Sequence, residues 1–243
     1  MEKKLKHFKG VILAGGNGTR LKPLTEITNK HLLPIYNKPM IDYAIETLIN
    51  AKIKDILIIC GKGNAGHFLD YLSSGEKYGV KINYIIQEEA GGIAQALSLA
   101  EHFVGINNVC VILGDNIFED KINLFDFEGG SRVYLKEVKD PKRFGIANIK
   151  NNRIIEIIEK PKKPESNLAV SGLYVYDSNV FKYIKKINPS KRGELEITDV
   201  NNMYIQEKNM SYKKIKGFWL DAGTFESLFN ASKEIRKIEL KKK

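Results

Sequence analysis

The sequence predicts an α/β fold: a Rossmann-like, doubly wound, mostly parallel but mixed sheet, with antiparallel additions in the second half. Three observations lead there. Short, continuous apolar runs alternate with helix-like segments from Gly10 to Leu113. Those runs are too apolar for strands with one wet face, so they suit parallel strands covered on both sides by helices. Beyond Gly130 the strand-like runs follow one another across short turns, too short for crossover helices.

Taken in order, Val11, Ile12 and Leu13 form a buried strand that breaks into Gly15-Gly16-Asn17-Gly18-Thr19-Arg20. Pro39 to Ala51 has helical spacing, with a proline where the first turn tolerates one. Ile56 to Cys60 reads as a buried strand, Ala65 to Leu72 as a helix closed by Ser73-Ser74-Gly75, and Val80 to Gln87 as the next strand. Gly91 to Phe103 opens on a glycine pair and continues as a helix, and Val109 to Leu113 is a strand ending at Gly114-Asp115-Asn116. Val133 to Val138, Gly145 to Ile149, Ile154 to Glu159 and Ala169 to Tyr176 are the strands that suggest antiparallel additions. Helices return at Asn179 to Lys186 and Glu196 to Gln206. Ser211 to Ile215 and Phe218 to Leu220 look like strands, and Thr224 to Ile238 is a closing helix.

At 243 residues without a linker-like stretch, one domain spanning 1–243 is expected, with basic tails at about 1–9 and 239–243. Of the net charge of +10, Met1 to Lys9 carries +3 and Lys233 to Lys243 carries +4, which leaves +3 for the body. That distribution argues against a nucleic-acid-binding module and suits a site for polyanionic phosphates. No apolar run is long enough to cross a bilayer, and the first nine residues lack the apolar centre of a signal peptide, so a cytoplasmic protein is expected. Cys60 and Cys110 sit in apolar runs as small hydrophobes, and the four histidines have no zinc-ligand spacing.

The glycine run is a candidate phosphate loop: its backbone N–H groups can approach a ligand, and Arg20 and Lys30 follow with fixed or readily held charge. It is neither of the common ones. No Gly-Lys-Ser/Thr occurs, and the third glycine of the dinucleotide fingerprint is replaced by Leu21, which argues against a nicotinamide-dependent oxidoreductase. Asp115 and Asp221 each end an apolar strand, where an α/β sheet presents side chains to its ligand. Two such carboxylates with substrate phosphates would suit magnesium, which keeps several waters and avoids all-protein cages.

The string Leu13-Ala14-Gly15-Gly16-Asn17-Gly18-Thr19-Arg20-Leu21, followed by Pro23 and Lys30, resembles the signature loop of the sugar-1-phosphate nucleotidyltransferases. The resemblance extends along nearly the whole chain. Asn29 to Pro34 resembles the family's lysine segment, Gln87 to Gln95 its base-binding loop, and Leu113 to Asn116 and Trp219 to Thr224 its two metal segments. Phe144-Gly145 and Glu159-Lys160-Pro161 resemble its sugar and phosphate contacts, and Arg192 to Asp199 its late signature. The branch most resembled transfers thymidylyl to glucose 1-phosphate.

The resemblance implies attack of a sugar 1-phosphate on the α-phosphorus of a nucleoside triphosphate, releasing pyrophosphate. It implies dTTP or UTP and glucose 1-phosphate as substrates, Mg2+ as cofactor, a place in nucleotide-sugar biosynthesis, and a homo-oligomer, dimer or tetramer. A uridylyltransferase acting on glucose 1-phosphate or another sugar 1-phosphate is the alternative. Carried over by residue, Leu13, Gly15, Gly16, Asn17, Gly18 and Thr19 hold nucleotide, and Arg20 and Lys30 its triphosphate. Gln87 and Gly92 read the base, Asp115 also contacts nucleotide, and Asp115 and Asp221 hold metal. Phe144, Gly145, Glu159 and Val170 line the sugar pocket, with Lys160 on the sugar phosphate; Arg20, Lys30 and Lys160 form the catalytic cation set.

There are departures: Phe144 stands where tyrosine is usual, Ala222 where threonine is, and Glu88 to Gly91 differs from the common proline-containing loop. The chain also ends soon after its last helix, so weak or absent feedback by a downstream nucleotide sugar is expected.

Overall fold

The computed structural model describes residues 7–63 and 65–241. Expectations for the tails at 1–6 and 242–243 lie outside these residues. The remaining tail positions belong to the fold: strand β1 begins at Phe8, and the last helix reaches Lys241. Lys9 is held in β1 and ion-pairs with Asp55.

β1 (Phe8–Ala14) is followed by three short 3-10 turns and a small hairpin, β2 (Pro34–Ile35) and β3 (Lys38–Pro39), which leads into α1 (Met40–Asn50). Next come β4 (Asp55–Gly61), α2 (Ala65–Leu72), β5 (Lys81–Gln87), α3 (Ile93–Ser98), α4 (Glu101–Val104), β6 (Asn108–Leu113) and β7 (Asn116–Phe118). β8 (Ser131–Glu137), β9 (Gly145–Lys150), β10 (Arg153–Glu159) and β11 (Leu168–Tyr176) follow, then α5 (Val180–Ile184) and α6 (Ile197–Gln206). β12 (Met210–Lys214), β13 (Trp219–Asp221) and α7 (Phe225–Lys241) close the chain.

β5, β4, β1 and β6 lie side by side in that order and are parallel, the arrangement of a doubly wound half-sheet. β11 then pairs antiparallel with β6 and with β8, and β9 and β10 extend the sheet antiparallel. One addition differs from the expected pattern. β12 pairs with β8 in parallel, because α5 and α6 intervene and return the chain in the same direction.

The apolar runs explain the layering, since successive side chains of a strand point to opposite faces. Ile12, Ile58, Cys60 and Ile112 pack under α1 and α2, whereas Val11, Leu13, Leu57, Ile59 and Val111 pack under α3 to α6. A buried aliphatic side chain of this kind contributes about 1.5 to 3 kcal/mol. A third cluster joins Ile35, Met40, Ile117 and Ala231, so α7 docks against the hairpin and β7. Burial pushes the thiol of Cys110 up to about 12 and raises that of Cys60, so both stay protonated core groups.

The expected helix from Gly91 to Phe103 is two pieces. Leu99 and Ala100 donate to the carbonyls three residues back, and the Ser98 hydroxyl takes the Gln95 carbonyl at 2.6 Å. That competition tightens and breaks the helix. Among the described residues, no helix is long and apolar enough to cross a membrane.

Candidate active site

At the carboxyl ends of the neighbouring strands β1 and β6 the winding of the sheet reverses: α1, which follows β1, lies on one face, and α3, which leads from β5 back toward β6, lies on the other. A crevice must open there. Two adjoining cavities, of about 580 and about 240 Å³, occupy it.

The smaller chamber is lined by Leu13, Gly15, Gly16, Lys30, Gln87 and Gly92, with His31 in its wall. Gly15 lies so close to Gln87 that a Cβ there would stand 2.0 Å from Oε1. Gly18 adopts φ +62°, turns the chain into Thr19–Leu21, and accepts a hydrogen bond from the Thr25 hydroxyl at 2.9 Å. Gln87 is buried and donates one of its two N–H groups to Gln95 Oε1 at 2.6 Å. Asn17, Gly18 and Thr19 lie on the loop but line neither chamber.

The larger chamber is lined by Arg20, Phe144, Gly145, Glu159, Lys160, Val170 and Asp221. Asp115 lines both. The turn Pro141–Arg143 delivers Phe144, and the Lys160 N–H donates to the Phe144 carbonyl at 3.0 Å, which joins the two segments expected to line a sugar pocket. Glu159 Oε2 accepts from the Thr198 hydroxyl at 2.7 Å.

Charge is unevenly shared. Lys30 Nζ lies 2.5 Å from Asp115 Oδ2. Burial pushes the Asp115 carboxyl up, but the Lys30 ammonium and hydrogen bonds from Lys30 and Asn116 hold it well below the usual carboxylate range. Asp221 is raised instead, by burial and then by the charge of Asp115, with Arg143, Arg20 and Lys30 acting the other way. The His31 ring, 2% exposed, falls to about 3 through burial and the Lys30 ammonium, so it is neutral at working pH. Its Nδ1 lies 2.6 Å from Asn29 Oδ1.

Could the site hold a hard cation? Among the described residues no three His, Cys, Asp or Glu side chains cluster as ligands. The β7–β13 ribbon sets Asp221 opposite Asn116, and the Ala222 N–H donates to the Asp115 carbonyl at 2.8 Å. Two carboxylates at a cavity wall, close enough that the charge of Asp115 raises the proton affinity of Asp221, fit a cation completed by waters and substrate phosphates.

Sequence reasoning missed Arg143, Arg192, Asn116, Trp219 and His31. Arg143 Nη2 sits 3.4 Å from Asp221 Oδ2, and Arg192 faces Glu196, Glu194 and Glu159 at 2.9, 3.3 and 3.8 Å. Arg192, His31, Asn116 and Trp219 lay inside recognisable segments. Arg143 had no such signal beyond standing next to Phe144.

The family profile described as Nucleotidyl transferase matches residues 9–238. The glucose-1-phosphate thymidylyltransferase of Neisseria meningitidis is 42% identical over 241 residues, 96% of this chain and 84% of that one. Its counterpart in Xanthomonas campestris is 43% identical over 242 residues, 96% of this chain and 82% of that one. A Bacillus anthracis crystal structure, of a protein named provisionally as a glucose-1-phosphate thymidylyltransferase and bound to a sucrose, is 51% identical with a TM-score of 0.89. It covers 94% of this chain and 95% of its own. A UDP-glucose pyrophosphorylase complexed with UDP-glucose is 26% identical with a TM-score of 0.85, covering 95% and 99%.

Proposed function

The chain belongs to the nucleotidyl transferase family, and from that membership we propose that it transfers thymidylyl from dTTP to α-D-glucose 1-phosphate, giving dTDP-glucose and pyrophosphate. The observation that carries the reading is Asp115, shared by a chamber with a glycine loop, Lys30 and Gln87 and a chamber with Phe144, Glu159 and Lys160. Nucleotide in the first and sugar phosphate in the second would meet at that carboxylate.

A sugar 1-phosphate has a second pKa of about 6 and is mostly dianionic near neutrality, so its oxygen needs no general base. The neutral His31, bonded to Asn29, is consistent with that. What the protein must supply is alignment of two mutually repelling anions and cations for the charge that develops. At 4 Å and an effective dielectric near 20, one unit charge is a lever of about 4 kcal/mol. Lys30, in the first chamber, and Arg20, on the wall of the second, would reach the triphosphate from either side, and Lys160 would hold the sugar phosphate. Asp115 and Asp221 would hold magnesium, which supplies charge neutralisation at the α-phosphate and the departing pyrophosphate. Glu159, fixed by Thr198, accepts from sugar hydroxyls beside Phe144 and Gly145.

The likeness to a UDP-glucose pyrophosphorylase supports a second reading, uridylyl transfer to the same sugar phosphate. A cytoplasmic location, a homo-oligomeric state and a role in making dTDP-sugars such as dTDP-rhamnose belong to the first. Pyrophosphate release measured across a matrix of nucleoside triphosphates and sugar 1-phosphates tests both. Turnover highest with dTTP and glucose 1-phosphate supports the first, and none with any pair refutes the enzyme class.

A further inference from the structure

Asn116 is 3% exposed and stands between Asp115 and Trp219. Its Oδ1 accepts two hydrogen bonds, from Trp219 Nε1 at 2.7 Å and from the Gly172 N–H at 3.1 Å. Its Nδ2 donates to Asp115 Oδ1 at 2.8 Å. An indole N–H and a peptide N–H only donate, and an ionised carboxylate only accepts, so a single orientation of the amide satisfies all three.

The surroundings are built for this contact. β11 breaks register between Val170 and Tyr174, and the Gly172 N–H in that break donates to Asn116. A Cβ on Gly172 would stand 2.6 Å from Asn116 Cγ, so only glycine leaves room for the amide. The Trp219 ring is packed against Phe144, centroids 5.2 Å apart, and β13 pairs with β7 at Asn116 itself. Asp115 Oδ2 is taken by Lys30. With Lys30 as its sole partner, the carboxylate could turn both oxygens toward the ammonium; with Asn116 on Oδ1 its plane is set.

We propose that Asn116, aimed by Trp219 and Gly172, is a positioning residue that holds the Asp115 carboxylate in the orientation in which it meets the cation. The inference rests on the reading of Asp115 as a cation ligand. Groups behind a metal ligand that orient it are typically worth about 10- to 100-fold in metal affinity.

The test is Mn2+ titration of the full chain with dTTP, read by water-proton relaxation, which separates protein-bound from nucleotide-bound ion. Trp219→Phe keeps an aromatic ring against Phe144 and removes the N–H; Asn116→Asp keeps the shape and turns the donor into an anion. Both should weaken protein-bound Mn2+ by about 10- to 100-fold in protein that melts cooperatively. The double variant should be no worse than Asn116→Asp alone, because Trp219 acts through Asn116. Unchanged Mn2+ affinity in folded Trp219→Phe overturns the inference even where Asn116→Asp does not fold, and so do additive losses in the double variant. If the unmodified enzyme binds no Mn2+ beside dTTP, the cation reading fails first and takes the positioning role with it.

Discussion

Lys30 and Asp115 form an ion pair 2.5 Å long, each side chain only 13% exposed, between the turn that follows the glycine loop and the end of β6. The pair joins the smaller, glycine-lined chamber to the carboxylate shared by both chambers. Asp221, the second carboxylate, pairs among the described residues with Arg143, in a partly exposed contact.

That asymmetry separates two otherwise similar variants. Asp115→Asn leaves a buried ammonium facing a neutral amide, which should cost about 1.5 to 3 kcal/mol of stability as well as orders of magnitude in turnover. Asp221→Asn relieves repulsion and gives up only an exposed ion pair, so turnover should fall with little change in melting temperature. Thermal melts beside magnesium-dependent rates check both. Near-normal rates in either variant at limiting magnesium would remove that residue from the cation site.

Arg20 lines the larger chamber, and its guanidinium lies against Gly223, where a Cβ would stand 3.0 Å from Nη2. A cation that neutralises charge chiefly in a phosphoryl-transfer transition state is worth roughly 10³ to 10⁵ in turnover. Arg20→Ala should show a loss of that order, and Arg20→Lys most of it, since an ammonium cannot reproduce a planar fork. Single-turnover rates decide; a variant as fast as the unmodified enzyme places Arg20 outside the chemistry.

Gln87 is aimed by Gln95 and pressed against Gly15, so its Oε1 and second N–H are left for a base. Thymine and uracil offer a carbonyl beside an N–H, which one amide can pair, and cytosine reverses part of that pattern. dTTP and UTP should both serve, with the methyl worth no more than about 1 to 3 kcal/mol in favour of dTTP, while CTP and purines should be poor. Gln87→Ala should erode this discrimination more than it slows dTTP turnover, and Gly15→Ala should weaken dTTP by displacing the amide. Equal kcat/KM for CTP and dTTP in the unmodified enzyme would contradict the role of Gln87.

His31 makes the fold acid-sensitive. Its folded pKa of about 3 lies below the unfolded value of 6.5, so the unfolded chain takes up the proton first as pH falls. The stability associated with a neutral His31 is complete above pH 6.5 and is lost progressively toward pH 3, by roughly 4 to 5 kcal/mol at the limit. Melting temperatures from pH 7.5 to 4.5 should fall steeply in the unmodified protein and less in His31→Gln, which has no proton to gain. Parallel curves for the two would assign the acid loss to other groups.

The alternation of Val11 and Leu13 against Ile12, the helical spacing of Ala65 to Leu72, and the Asp115 that follows an unbroken apolar strand are local patterns. A buried strand and its ending must be written in neighbouring residues, so the doubly wound core and the glycine turn at its crevice were legible in the sequence alone, and the expected site residues other than Asn17, Gly18 and Thr19 line the two chambers there. Motif resemblance added the roles of Phe144, Glu159 and Lys160, which no spacing declares. The tertiary structure decided what depends on residues far apart. Phe218 to Leu220 was legible as a strand, but the three-residue β7 is too short to carry a period, and only its pairing with β13 sets Asp221 opposite Asn116. The break at Ser98 depends on a side chain choosing a carbonyl over solvent, and the parallel return of β12 depends on where two helices pack. Arg143 reaches Asp221 from a distant turn, and Asn116 takes one amide orientation because Trp219 and Gly172 arrive beside it from separate strands while its neighbour Asp115 takes its N–H. Hydrogen-bond direction is set by partners in space, and those partners have no signature in the chain that precedes or follows them.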